Sequence, residues 1–258
     1  MISLEDAYAS CREKWSAAPE SPPSYDGSSL NLYLSLMKDR LFNQCDHLKN
    51  GEYSFFTKMK GLFRVVVDVG VRDDVYYLEG SDPSSHMYLF EPHPVFFSKL
   101  QTTIEDRGFF KTHPHLTLFN QGVSDGSGTL AYYEEAQSFV NRWNEQPSKH
   151  LPVVRLDSLA SLHAEPEISF LKIDTEGYEL DVLRGAEGLL SKTKLIQFEY
   201  GGTYPHRGIQ LQDVIRYLQS HGFVFFYYFL EGGFFCMDSQ TVLEHQQYSN
   251  ILASKFSL

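Results

Sequence analysis

Cysteine and tryptophan are scarce in this chain of 258 residues, with three and two copies respectively. Cys11, Cys45 and Cys236 are odd in number and widely spaced, so they supply neither a disulfide framework nor a Cys-x-x-Cys metal site. They read as small buried hydrophobes in a reducing compartment. Basic residues are in deficit: 22 Lys and Arg face 33 Asp and Glu, a formal charge of −11. No stretch gathers enough cations to cradle a polyphosphate backbone, so no nucleic-acid partner is expected. Also missing is any window of roughly 18 apolar residues, the length of a membrane span. The first twenty residues carry no basic-then-apolar signal pattern. No membrane association is expected, and the expected compartment is the cytoplasm.

Aromatic residues, by contrast, are abundant, with 20 Phe and 16 Tyr in a composition that is 42% apolar. Such a chain can bury one substantial core. Ser3 with Glu5 and Asp6 resembles a helix start, and Leu4, Ala7, Tyr8 and Cys11 keep helical spacing up to Trp15. After the Pro-rich stretch 19–29, Leu30, Leu34, Met37, Leu41, Cys45 and Leu48 predict a second helix that Gly51 stops. Residues 1–60 are thus expected to be an N-terminal helical extension, and 61–258 the main domain.

Along the main domain, strand-like and helix-like patterns alternate, the signature of a mostly parallel sheet with crossover helices. Strands are expected at Arg64–Val69, Met87–Glu91, Leu116–Val123, Val153–Leu156, Phe170–Asp174, Leu195–Tyr200 and Phe223–Leu230. Helices are expected near Pro94–Arg107, Tyr178–Ser191 and Gln210–His221, and Gly126-Ser-Gly128 predicts a turn into an extra strand, Thr129–Tyr133. The fold class is α/β, with a Rossmann-like sheet of about seven strands.

The first strand ends in Asp68-Val-Gly70, where glycine permits a sharp turn beneath a ligand at the sheet's carboxyl edge. The second ends in Glu91, the position from which an acid grips ribose hydroxyls in nucleotide folds. A dinucleotide would need G-x-G-x-x-G after the first strand, and Gly70-Val-Arg-Asp-Asp-Val75 has no second glycine. Asp73 and Asp74 would repel a phosphate but tolerate a sulfonium cation. Asp174-Thr-Glu176-Gly177 follows a buried strand and delivers two carboxylates to the same edge, and Glu199 closes the next strand. His206 lies in the loop beyond it. Such groups can take a hydroxyl proton, and Asp174 and Glu199, with a neutral His206, could also hold Mg or Mn. Glu176 as a cap for the following helix is the structural alternative.

Three blocks make the chain resemble the FkbM family of class I methyltransferases: Val67-Asp-Val-Gly70, Phe90-Glu-Pro-His-Pro94, and Leu171-Lys-Ile-Asp-Thr-Glu-Gly-Tyr-Glu-Leu180 continuing to Ala186. Gly122-Val-Ser-Asp-Gly126 and Arg155-Leu-Asp-Ser-Leu159 add to the likeness, which spans Arg64 to Tyr200. The resemblance implies S-adenosylmethionine as cofactor. Asp68, Gly70 and Val71 would border its methionine part, Glu91 and Pro92 its ribose, and Val123, Ser124 and Asp125 its adenine, with Asp174 beside it. It further implies O-methylation of a hydroxyl on a sugar or glycan, such as the deoxyhexose rhamnose, and a setting in a larger glycan-processing protein or assembly. Asp174, Glu176, Glu199 and His206 are the candidate catalytic groups. The loop Gly201–Arg207, the segment Phe139–Trp143 and the pair Tyr132-Tyr133 are candidates for the acceptor wall. The family's usual Ala-Asn-x-Gly is replaced by Val71-Arg-Asp-Asp74. Two other readings stay open: a nicotinamide-dependent sugar-nucleotide enzyme, and a non-catalytic binding module on the same fold.

Overall fold

The apolar runs of the sequence become the strands of one twisted sheet. The computed structural model describes residues 2–23, 34–35, 38, 44–237, 239 and 242–258. Five strands pair in parallel in the spatial order Leu116–Phe119 (β4), His86–Phe90 (β3), Val65–Val69 (β2), Ile168–Ile173 (β8), Thr193–Tyr200 (β9). Antiparallel pairing then adds Ser249–Ser254 (β12), Phe225–Leu230 (β10), Gly233–Cys236 (β11) and Ile2–Ser3 (β1). Gly122–Val123 (β5), Gly128–Tyr132 (β6) and Lys149–Val154 (β7) form a second, small sheet.

Every residue of β2 and β8 is buried, as parallel strands covered on both faces require. Successive side chains point to opposite faces, so one strand serves two cores. Val65, Val67, Leu171, Ile173 and Phe198 pack with Ala160–Ala164 (α6), Glu179–Gly185 (α7), Glu187–Leu190 (α8) and Leu211–Ser220 (α9). Val66, Phe170 and Leu195 pack on the other face with Leu4–Lys14 (α1), Glu52–Met59 (α2), Tyr76–Gly80 (α3), Pro94–Asp106 (α4) and Phe109–Thr112 (α5). Helix α1 starts where expected, its first turn capped by the Ser3 hydroxyl, which accepts from the Asp6 amide at 3.1 Å. It is tied in at both ends of the chain: Ile2 pairs with Phe234, and Ser10 Oγ donates to the carbonyl of Ser257 at 2.6 Å.

Several expectations are corrected. Among the described residues the main sheet has nine strands, not about seven, and it is mixed instead of mostly parallel, because β12, β10, β11 and β1 all join by antiparallel pairing. The run 116–123 is two strands, because Asn120 leaves the sheet to donate to the carbonyls of Glu91 and Pro92 and passes the chain to β5 in the small sheet. The strand expected at 153–156 ends at Val154, and Leu156 begins a 3-10 turn. The helix expected from Tyr178 to Ser191 breaks at Ala186. Gly51 starts helix α2 instead of ending one; its φ is +96°, and a Cβ there would lie 2.5 Å from the Leu230 carbonyl oxygen. The second predicted helix lies largely outside the described residues, and 46–49 form a turn. Of the three cysteines only Cys11 is buried.

The chain runs β2, β3, β4 toward one edge and returns to place β8 and β9 on the other side of β2. The topological switch point is therefore between β2 and β8, and ligands of open α/β sheets enter at its carboxyl end. Gly70 sits there with φ +85°, and a Cβ on it would stand 1.8 Å from the carbonyl oxygen of Asp174. Gly70→Ala combines an unfavourable φ with a backbone collision. We expect it to lose on the order of 4 kcal/mol of unfolding free energy, measured by urea titration; a loss under about 1 kcal/mol would contradict the close approach.

Candidate functional site

Strand register assembles the site. Asp68 on β2 pairs with Lys172 on β8, and Lys172 with Gln197 on β9, so three polar residues stand in one row across an apolar face. Two residues on, beyond the strand ends, come Gly70 and Asp174; on β9, Glu199 pairs with Asn250 of β12. Period two keeps Lys172 and Asp174, and Gln197 and Glu199, on the same side.

Lys172 Nζ lies 3.2 Å from Asp68 Oδ1 and 3.4 Å from Asp174 Oδ2, and donates to the Gly70 carbonyl at 3.3 Å. Its side chain is 7% exposed. Burial alone would lower its pKa, but the carboxylates of Asp68, Asp174 and Glu52 outweigh burial and hold the ammonium above its ordinary range. Glu52, from α2, reaches the row from above. Its carboxylate accepts from Tyr77 at 3.1 Å and Gln197 at 2.6 Å, and from the amides of Asn50 and Asn250. Burial, and then Asp174, push Glu52 up. Glu199 is raised further, by burial first and then by Asp174 and Glu176, and one of its oxygens is buried without a hydrogen-bond partner.

The turn after β8 is fixed by Glu179. Its carboxylate accepts from the Thr175 amide and hydroxyl, both at 3.0 Å, and from the Gly177 amide at 3.0 Å. It is this residue, and not Glu176, that gathers the free amides before α7. Glu176 takes φ +56° and turns its side chain to the Arg142 guanidinium, with which it forms an ion pair. Burial and the Asp174 charge raise its pKa against the opposing pull of Arg142.

At the end of β3, Glu91 is 5% exposed and accepts from the amides of Arg72 at 2.8 Å and His93 at 2.7 Å. Burial pushes its pKa up to about 7 despite these bonds. Each carboxylate oxygen can accept twice, so capacity remains for a ligand hydroxyl.

Glu52, Lys172 and the acids at the strand ends surround one cavity of about 580 Å³. Of the candidate site residues, Asp68, Gly70, Val71, Glu91, Pro92, Val123, Asp174, Glu176 and Glu199 line it. Of the expected acceptor wall, Tyr132, Phe139, Arg142 and the stretch Gly201 to Thr203 line it too, whereas Trp143 points to solvent at 57% exposure. Three expected members are not brought in. Ser124 is buried behind the wall, its carbonyl where a Cβ of Gly185 would fall, and Asp125 is exposed, its carbonyl taking the Arg155 guanidinium. His206 is exposed on the 3-10 turn Tyr204–Arg207, away from the acids. The proposed metal ligand set loses its imidazole. Among the described residues no group of three or more His, Cys, Asp or Glu is arranged to hold a metal ion. Between Asp68 and Asp174, the place of a cation is taken by Lys172.

Lys172 itself carried a signal that went unread: a lysine inside a wholly apolar strand, two residues before an acid. Glu52 carries none, since it arrives from a distant helix, and Arg142 is legible only as part of the segment Phe139–Trp143, with no sign of its partner Glu176. Cys45 and His47 also line the cavity, so residues before 60 contribute directly to the site.

The sheet order and the site at its switch point define a class I methyltransferase. The crystal structure of the FkbM methyltransferase from Methylobacillus flagellatus shares the fold with a TM-score of 0.55 at 16% identity over 96% of this chain, which spans 58% of that structure's length. The chain belongs to the FkbM methyltransferase family, whose profile, Methyltransferase FkbM domain, matches residues 65–225. It is 25% identical over 170 residues to the hexuronic acid methyltransferase AglP of Haloferax volcanii, covering 62% of this chain and 67% of that protein. To the 2-O-methyltransferase NoeI of Sinorhizobium fredii it is 25% identical over 185 residues, covering 60% and 71%.

Two pH effects follow. Glu91 and Asp74, raised by burial to about 7 and about 6, bind more protons folded than unfolded, so stability of the free protein falls as pH rises through that window. Lys172→Met leaves its carboxylates uncompensated and costs about 3–5 kcal/mol near pH 7.5. That cost is smaller near pH 5.5, because burial raises the pKa of Asp68 and Glu52 and they take up protons more readily as pH falls. Urea titrations of both proteins at the two pH values check this; a loss independent of pH would contradict it.

Proposed function

We propose that this methyltransferase transfers the methyl group of S-adenosylmethionine to a hydroxyl of a sugar or glycan. The observation that carries the reading is the acid-rich cavity at the switch point, with Glu91 at one end and the Lys172 row at the other. Its volume falls within the range of small-molecule sites, and its donor set fits the cofactor. Glu91 suits a ribose diol. Asp68 and Asp174 suit an ammonium and a sulfonium, which an excess of carboxylates attracts and which a phosphate-bearing cofactor lacks. The substrates in the names of the two relatives, a hexuronic acid and a 2-hydroxyl, support a sugar acceptor.

When bound, the cofactor supplies a methyl carbon already activated as a sulfonium. The remaining work is alignment and removal of a hydroxyl proton. Asp174 is suited to that removal: its side chain is 37% exposed, whereas those of Asp68 and Lys172 are 3% and 7%. It would take the hydroxyl proton as the methyl group passes from sulfur to oxygen and S-adenosylhomocysteine leaves, and the fixed charge of Lys172 holds its orientation. Glu199 stands beside it, its pKa raised by burial and by the Asp174 and Glu176 charges. Glu176 orients Arg142 at the acceptor side, and no role remains for His206.

Calorimetry tests the cofactor. S-adenosylmethionine and S-adenosylhomocysteine bind and NAD and NADP do not, and Glu91→Gln weakens binding about tenfold, the value of one hydrogen bond to a charged group. Binding of NAD in their place would overturn the reading. With a glycoside acceptor and saturating S-adenosylmethionine, Asp174→Asn lowers kcat by about 10²-fold or more. A chelator leaves the rate unchanged; a rate lost in chelator and restored by Mn or Mg would show that a metal, not Lys172, governs the acids.

A further inference from the structure

Resting on the glycoside reading above, we propose that the sugar unit entering the cavity is uncharged, and that the Arg142–Glu176 ion pair excludes acceptors bearing a carboxylate. Arginine is the residue a uronate would seek, because its planar fork matches a carboxylate with two parallel hydrogen bonds. Here Glu176 Oε2 takes Nη2, the nitrogen that both two-bond arrangements of the fork require, and Nε is buried without a partner; hydrogen bonds in the turns around both residues hold the pair in place.

On the Glu176 side, the residue sits at φ +56°, a conformation that costs an ordinary side chain energy and persists only where the surroundings impose it. They do so from two directions. The Ser138 hydroxyl donates to the Glu176 carbonyl at 3.2 Å, and Glu179 binds the amides of Thr175 and Gly177 on either side. On the Arg142 side, the turn is closed reciprocally: Asn141 Nδ2 donates to the Glu145 carbonyl at 3.0 Å, and the Glu145 amide to Asn141 Oδ1 at 3.0 Å. The Val140 amide adds a bond to Ser138 Oγ at 3.0 Å, linking the two turns through one serine.

The rest of the cavity offers a carboxylate nothing better. Seven carboxyl side chains and three cationic ones line it among the described residues. Lys172 is committed to Asp68 and Asp174. Arg72, at the rim, lies 3.7 Å from Asp73 and 4.9 Å over the Phe96 ring. A uronate entering here must either face this surplus of acids unpaired or displace Glu176 from Arg142 toward Asp174 and Glu199. Both routes penalise it, whereas a neutral hydroxymethyl group meets no such penalty.

The test uses paired acceptors that differ only at C6: methyl glucoside against methyl glucuronide, and methyl galactoside against methyl galacturonide. Calorimetry on the protein loaded with S-adenosylhomocysteine gives affinities, and methyl transfer gives kcat/KM. The neutral member of at least one pair is favoured by tenfold or more in wild type. Glu176→Gln frees Arg142 and raises the ratio of charged to neutral affinity by tenfold or more, while S-adenosylhomocysteine binding shows that the variant is folded. A uronide bound as well as its neutral partner, or a ratio that Glu176→Gln does not move, overturns the proposal. If no glycoside of either kind binds while S-adenosylhomocysteine does, the glycoside reading itself falls and takes the proposal with it.

Discussion

The ammonium of Lys172 carries one positive charge into the middle of a parallel sheet, and the carboxyl edge of that sheet is organised around it. Asp68 and Asp174 flank the charge at salt-bridge distance, and Gly70, between them in space, gives its carbonyl to the same nitrogen. Each of these groups would be costly where it is without the others. A buried charge is tolerated only when paired and hydrogen-bonded. The pairing also fixes the approach of β2 to β8, because a lysine reaching both acids must keep the strand ends together. Gly70 is the steric counterpart of that approach.

Around this centre lies a second layer that carries no net attraction of its own but sets the geometry. Glu52, Tyr77, Gln197 and Asn250 bind one another above the row, from two helices and two strands. They connect α2, from the part of the chain outside the family match, to β9 and β12. The cavity is thereby finished by residues before 60, which share the apolar layer of Phe55, Phe56 and Met59 with the sheet. On the opposite side, Glu179 and Ser138 hold the turn that presents Glu176. Local strain at Arg72 and Glu176, both at positive φ, falls on the two sides of the same cavity. Preorganisation is bought here with backbone conformations that an unconstrained chain would leave.

Much of this was legible in the sequence. Four of the five parallel strands and the acids at their carboxyl ends follow from apolar runs ending in Asp68, Glu91, Asp174 and Glu199, since a buried strand has only its end at which to present a charge; the order of the strands comes from the structure. What stayed hidden depended on partners distant in sequence. Ser249–Ser254 has neither a long apolar run nor clean alternation, and it is a strand because β9 and β10 both pair with it. Glu52 looks like any first-turn acid until Gln197 and Asn250 meet it. His206 follows Glu199 closely in sequence but not in space, because the 3-10 turn carries it outward to an exposed position. Lys172 was readable in principle, since a lysine in the sequence Phe-Leu-Lys-Ile-Asp must either be exposed or be paired.

The claim on which the rest stands is that Lys172 remains charged in the folded protein. Nuclear magnetic resonance of protein labelled with ¹³C at lysine Cε, titrated from about pH 6 to about pH 11, measures this directly, with Lys172→Arg assigning the signal. The Lys172 resonance is predicted to keep its protonated shift beyond the ordinary lysine value of 10.5 while surface lysines titrate. A Lys172 signal that loses its proton below about pH 9 would show that burial has won over the flanking carboxylates, and would contradict the account.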